Sequence, residues 1–168
     1  MPGDLTPMPS HLLRTATERD ASHIHALLAR SGLPTSDLEV SQPQFVVLCE
    51  GAQIIGSGVL QRFGSLALLR SVAVEPQRRG AGLGRVIVQE LERRAHASDV
   101  AQLVLLTQTA KRFFEHQGYR VIDRQQVPQA VQGSDEFRSL CPTSATCMVK
   151  MLTGPGRQRN DRRARASN

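Results

Sequence analysis

This 168-residue chain has no tryptophan, a single tyrosine and five phenylalanines, so aromatic residues make up only 4% of it. Proteins that hold single-stranded nucleic acid stack bases on aromatic rings, and this chain has few to offer. Cysteine is also scarce. Cys49, Cys141 and Cys147 form an odd set without metal-ligand spacing. That argues against a disulfide framework or a thiolate metal site and for a reducing, cytoplasmic setting. No apolar run approaches the roughly 20 residues of a membrane-spanning helix, so no membrane partner is expected. Met1–Ser10 holds three prolines and no apolar core, unlike a secretory leader. Residues 51–74 lack Asp, Glu and His altogether, which bears on the chemistry below.

The net charge of +6 misleads as a guide to partners. The stretch 154–168 carries five arginines against Asp161 and supplies +4 of it. That stretch shows no apolar periodicity and reads as a disordered basic tail over 153–168. The remainder is nearly balanced, so a nucleic-acid partner is the weakest reading. Hydrophobic residues make up 40%, enough for one domain with its own core. The expected organisation is a disordered 1–10, a folded 11–152 and the tail.

Apolar spacing divides the middle of the chain into alternating elements. Leu12–Thr15 reads as a strand, and Thr17-x-x-Asp20 as a capping-box variant. The helix that follows places Ala21, Ile24, Leu27 and Leu28 on one face and ends at Gly32-Leu33-Pro34. Gln44–Glu50 and Gln53–Arg62 read as strands around a turn at Gly51-Ala52. Ser65–Val74, apolar on both faces, reads as a central strand. Gly82–Ala97 is an amphipathic helix. Gln102–Leu106 reads as a strand, Thr109–Gln117 as a short helix, Tyr119–Arg124 as a strand, Gln129–Leu140 as a helical turn or two, and Ala145–Leu152 as the last strand. The order is β-α-β-β-β-α-β-α-β-β.

The segment from Ser71 to Arg85 carries the clearest chemistry. An apolar strand (Val72, Ala73, Val74) runs into Glu75-Pro76-Gln77-Arg78-Arg79-Gly80-Ala81-Gly82-Leu83-Gly84-Arg85. Glycines allow close backbone approach, and amides at a helix N-terminus attract anions. Arg78, Arg79 and Arg85 add positive charge. A nucleoside-triphosphate loop would need Lys and Ser or Thr after its last glycine, and a dinucleotide fingerprint would need glycine where Arg85 stands. Neither fits. The alternative to an anion site is an ordinary strand-to-helix turn with surface arginines.

In this context Gln77-x-x-Gly80-x-Gly82 resembles the pyrophosphate loop of the GNAT superfamily of acyl-CoA-dependent N-acetyltransferases, and the element order resembles that topology over residues 11–152. The resemblance implies an α/β (α+β) fold with a mixed central sheet of about seven strands flanked by helices. It implies acetyl-CoA as donor and a small amine as acceptor, with no metal. The backbone of Val72, Ala73 and Val74 would run beside the pantetheine arm, and Gln77 to Arg85 would hold the pyrophosphate. The helix around Thr109 and Phe113 would flank the arm, with Lys111 or Arg112 within reach of the 3′-phosphate. A homodimer is common in such proteins and is left open.

The chain departs from well-known members at the proton-transfer positions. The stretch 51–74 offers no glutamate base. Phe113-Phe114-Glu115-His116-Gln117-Gly118-Tyr119 places Phe114 where many members carry a tyrosine acid. The remaining candidates are a water chain, Asp37 or Glu39 as base, and Tyr119, which opens the next strand and whose default reading is structural. Arg70 is the one charge in the Ser65–Val74 strand. It calls for a partner, a substrate oxyanion bound bidentately or a structural ion pair, unless it leans out at a bulge.

Further segments are similar to the arsenic-resistance-associated branch of the superfamily. They are Gly32–Leu38, Leu68–Val74, Leu105–Thr107 and Phe137–Met148. That resemblance implies an amino-acid-like acceptor, for instance an arsenic- or phosphorus-containing glutamate analogue, with Arg70, Ser71, Thr107 and Ser144 at its acidic end. Cys141 and Cys147 raise direct arsenic binding, against the default of ordinary core or loop cysteines. Two other readings stay open: a non-catalytic acyl-CoA sensor, and a protein or peptide N-acetyltransferase.

Overall fold

The computed structural model describes residues 10–35, 45–134, 137 and 144–152. Seven strands form one mixed sheet in the order β1-β2-β3-β4-β5-β7-β6. These are β1 (His11–Thr15), β2 (Phe45–Glu50), β3 (Gln53–Phe63), β4 (Leu66–Val74), β5 (Gln102–Thr107), β6 (Arg120–Val121) and β7 (Thr146–Met151). The helices are α1 (Ala21–Arg30), α2 (Leu83–Ala97), the short α3 (Lys111–His116) and a single turn, α4 (Gln129–Gln132). Every expected element in the described stretches is present, and β4 lies at the sheet centre. One is shorter than expected. The strand predicted over Tyr119–Arg124 keeps only Arg120–Val121, because Asp123 accepts the Gln125 N–H at 2.9 Å and turns the chain into a 3-10 turn. The helical turn expected within Gln129–Leu140 is present as Gln129–Gln132.

Antiparallel pairing joins β1 through β4, and β7 lies antiparallel between β5 and β6. The junction of β4 with β5 is parallel, as a crossover through a helix requires. That crossover is α2. It buries Leu83, Ile87, Val88, Leu91 and Ala95 against one face of the sheet, together with Leu48, Ile55, Leu60 and Leu103. On the other face, α1 buries Ile24, Leu27 and Leu28 against Phe45, Val47 and Val59. A third cluster around Leu68, Val104, Val131 and Val149 fills the space under α4.

Two glycines on β3 set how closely α2 approaches. A Cβ on Gly58 would stand 2.6 Å from Leu91 Cδ1 and 3.0 Å from Ile87 Cγ2, and one on Gly56 would stand 2.6 Å from Ile87 Cδ1. At the start of α1, the Arg14 guanidinium grips Asp20 with two bonds of 2.7 and 2.9 Å, while the Thr17 N–H donates to the same carboxylate at 2.8 Å. The predicted Thr17–Asp20 cap therefore forms, and an arginine from β1 reinforces it.

Candidate active site

The parallel ladder between β4 and β5 is short. Leu66 pairs with Gln102, Ala67 with Leu103 and Leu68 with Val104, and there the pairing stops. Beyond that point the strands diverge and leave a cleft of about 720 Å³. Leu69–Val74 of β4 form one wall and Leu105–Thr107 of β5 the other. A β4 edge without a strand partner presents backbone N–H and C=O groups into the cleft. An extended polar chain can pair with such an edge.

The glycine loop forms the mouth. After a 3-10 turn at Pro76–Arg78, Gly80 and Gly82 adopt φ of 85° and 79°. A Cβ built on either would meet nothing within 4 Å. The space in front of both is thus open, and the left-handed backbone selects glycine. Gly82 caps α2, and the first helical bond, from the Val86 N–H to the Gly82 carbonyl, is 3.3 Å long. The amides just before Val86 have no acceptor one turn back, so they are available to an anion. Gly84 serves packing instead, since a Cβ there would lie 3.3 Å from the Phe113 ring.

The arginines of the loop differ in role. Arg78 is paired with Glu50 at 2.6 Å. Arg79 bonds its own chain at the Val74 carbonyl, 3.2 Å away. Arg30 clamps Glu75 with bonds of 3.1 and 2.8 Å and holds the loop's first residue against α1. Arg85 is exposed and makes no ion pair among the described residues, which leaves its charge directed at whatever enters the mouth.

The cleft assembles most of the residues singled out in the sequence. Val72, Ala73, Val74, Arg78, Arg79, Gly80, Gly82, Leu83, Gly84, Arg85, Thr109 and Phe113 all line it, as do Arg70, Ser71 and Thr107. Gln77 and Ala81 are exposed beside the loop without forming its wall. Ser144 is exposed and lies off the wall. Arg70 is half-buried and donates to Gln61 Oε1 at 3.0 Å, within a wider set of contacts. The Thr107 hydroxyl accepts the Ala110 N–H at 3.0 Å and so shapes the entry to α3.

Tyr119 does not reach the cleft. It is 3% exposed, packs edge-on against Phe114, and donates its hydroxyl to Glu92 at 3.1 Å. Burial, and then the Glu92 charge, push its phenol far above the usual tyrosine range. Lys150 completes that cluster, 3.1 Å from Glu92 and 2.8 Å from the Gln117 carbonyl. Phe114, at the position of the missing acid, does line the cleft. Asp37, Glu39 and Cys141 lie outside the described residues. Cys147 is buried, and burial raises its thiol to about 11. Among the described residues no group of three or more His, Cys, Asp or Glu side chains could hold a metal ion. None of their helices is long and apolar enough to cross a membrane.

Residues 41–121 match the family model described as an acetyltransferase (GNAT) domain. That match spans just under half of the chain, from β2 to β6. Solved structures agree on the fold. N-acetylglutamate synthase from Neisseria gonorrhoeae, complexed with coenzyme A and L-arginine, superposes with a TM-score of 0.74 at 18% identity. The match covers 88% of this chain, which spans about a third of that protein, 34%. Rv2747 from Mycobacterium tuberculosis, in complex with CoA and NLQ, gives 0.69 at 22% identity over 84% of this chain and 99% of that one. The ribosomal-protein-S18-alanine N-acetyltransferase from Escherichia coli gives 0.66 at 17% identity, covering 87% and 97%.

Three features of this cleft are additional to the sequence expectations: Gln61 beside Arg70, Ser31 under Arg79, and Ser57 behind the β4 wall. The Gly56-Ser57-Gly58 triplet inside an apolar strand was the available signal for the last. Two glycines there announce a close helix, and a buried hydroxyl between them needs a partner.

Proposed function

We propose that this protein transfers an acetyl group from acetyl-CoA to the amine of a small, anionic, amino-acid-like acceptor. The observation that carries the reading is the splayed β4–β5 cleft with the open glycine loop and α2 N-terminus at its mouth. In this reading the pyrophosphate rests on the amides around Gly82 and Gly84, with Arg85 and Arg79 offsetting its charge. The pantetheine arm lies along the free edge of β4 and pairs with its backbone at Val72, Ala73 and Val74. Thr109 and Phe113 close the other side. The thioester then sits between the walls, where a β4 amide meets the carbonyl oxygen as negative charge develops on it. The amine attacks the carbonyl carbon, loses its proton, and the CoA thiolate departs.

The acceptor enters from the side of Ser31–Pro34, Arg70 and Ser71. Arg70 supports an acidic group there, because it lies on the cleft wall and a guanidinium binds oxyanions bidentately. An arsenic- or phosphorus-containing glutamate analogue is the specific acceptor class we favour, with detoxification as the consequence. The described lining residues include no Asp, Glu, His, Tyr or Lys. This favours a second reading, an acyl-CoA-binding sensor without turnover.

Thiol release from acetyl-CoA separates the two. The purified protein would be assayed with amino acids, phosphinic and arsenical glutamate analogues, polyamines and peptides. Release with an anionic amino acid alone supports the proposal. Tight CoA binding without release for any amine supports the sensor, and release with peptides alone replaces the acceptor class.

A further inference from the structure

Ser57 occupies an unusual place. It lies on β3 at 0% exposure, among apolar neighbours, and its hydroxyl donates to the Ser71 carbonyl at 2.9 Å. Ser71 has φ of 53°, a left-handed conformation that a residue other than glycine adopts at a cost. The β3–β4 ladder slips at this point. Val59 opposes Arg70, but Ser57 opposes Ala73, so Gly58 alone faces both Ser71 and Val72. This is a β-bulge, with the extra residue in β4, and it lies on the wall of the cleft.

A bulge takes a peptide group out of the ladder, and a buried carbonyl so displaced needs another donor. Ser57 supplies it. The peptide joining Ser71 to Val72 is planar and trans. Its C=O and N–H therefore point in opposite directions. With the carbonyl held toward β3 by Ser57, the Val72 N–H is held away from β3, toward the side where β5 has diverged and the cleft opens.

We infer that Ser57 is a positioning residue for acetyl transfer, fixing the peptide plane that aims the Val72 N–H at the thioester oxygen. The inference rests on the acetyltransferase reading for its catalytic consequence but not for its geometric part. Ser57 touches neither donor nor acceptor, so its loss acts on the transfer step and spares binding.

The test compares wild type with Ser57→Ala, Ser57→Cys and Ser57→Thr. Removing an oxyanion donor outright costs about 10²–10³ in kcat. Loosening one is expected to lower kcat about 10- to 100-fold in Ser57→Ala, with CoA Kd and acceptor KM changed less than about threefold. Cysteine keeps the shape but donates poorly. It carries the same test if the alanine variant misfolds and is expected to lose kcat likewise, while threonine, which keeps the hydroxyl, recovers it. Amide hydrogen exchange of Val72 is read in parallel and is expected to quicken in Ser57→Ala. Folded alanine and cysteine variants with kcat within about twofold of wild type would overturn the catalytic part. If wild type itself transfers no acetyl group, the acetyltransferase reading fails. Exchange at Val72 then decides the geometric part alone, and unchanged exchange overturns it.

Discussion

At Arg70 a charge sits half-buried on the cleft wall, one guanidinium nitrogen 3.0 Å from Gln61 Oε1. Its place on that wall lets it meet an acceptor's acidic group. Replacing Arg70 with Met removes a charge-assisted bond, worth about 1.5–3 kcal/mol. The acceptor KM is expected to rise about 10- to 100-fold with kcat nearly unchanged, the pattern of lost uniform binding. Steady-state kinetics with an anionic and a neutral amine check this, since the neutral amine should not notice the change.

Tyr119 gives the opposite expectation. Its buried hydroxyl serves Glu92, which Lys150 also holds. Tyr119→Phe should leave kcat/KM unchanged and cost about 1 kcal/mol of stability, the net worth of one hydrogen bond. The raised phenol also fixes a pH dependence. A group whose pKa is higher folded than unfolded contributes its full stability below the unfolded value, about 10 for tyrosine. That contribution falls away as pH rises beyond it. The gap between wild type and Tyr119→Phe should therefore hold through neutral pH and narrow above about pH 10, read by denaturant melts. A large loss of kcat would instead return Tyr119 to the chemistry.

Among the elements, α1 and α2 are held by different means. Asp20 ties the end of β1 to the start of α1 through Arg14 and the Thr17 amide, and the Arg14 guanidinium holds its carboxyl well below the usual range. Asp20→Asn should cost about 1–2 kcal/mol, limited because the Arg14 side chain is 37% exposed. A depressed carboxyl contributes its stability above the unfolded carboxylate pKa and loses it as pH falls through the folded value. The gap between wild type and Asp20→Asn should thus be full at neutral pH and shrink below about pH 4. Along α2 two glycine positions separate packing from binding. Gly58→Ala pushes a methyl into Leu91 and Ile87, an overpacking cost of about 1–3 kcal/mol, and should leave CoA affinity intact. Gly82→Ala meets no neighbour but forces a left-handed alanine, about 1–2 kcal/mol, in front of the proposed phosphate site. It should weaken CoA binding as well as stability, measured by calorimetric titration.

These elements also mark how far the sequence alone could be read. Strand alternation, helical spacing around Leu83–Leu91 and the glycine loop were local patterns, and the structure reproduces them. A bulge was only one alternative at Arg70, and its place at Ser71–Val72 was not legible, because it depends on how Ser57 meets Ser71 across 14 positions. The shortness of β6 depended on one Asp123 cap that overrode an apolar run. Ser144 was placed at the acceptor by resemblance alone; it precedes β7, is exposed and does not line the cleft.

The whole molecule presents a cleft whose described wall carries Arg70, Arg78, Arg79 and Arg85 but no carboxylate, imidazole or phenol. Such a wall attracts anionic donors and acceptors and raises the cost of keeping an ammonium charged beside it. Since only the neutral amine attacks, kcat/KM should rise with pH, and the ionisation that governs it should be the acceptor's own. Two acceptors whose amines differ by about one pKa unit should then show profiles displaced by about the same amount. Asp37→Asn and Glu39→Gln should not move either profile. The alternative has a distinct signature. A midpoint shared by both acceptors, and lost in one of those two variants, would identify that carboxylate as the base and place the proton transfer on the segment between α1 and β2. Salt adds an independent check, because screening over about 10 Å at 0.1 M ionic strength weakens exposed arginines more than half-buried ones. Rising salt should therefore raise the Kd for CoA, held at the exposed mouth, more than the KM of an acceptor anchored at Arg70.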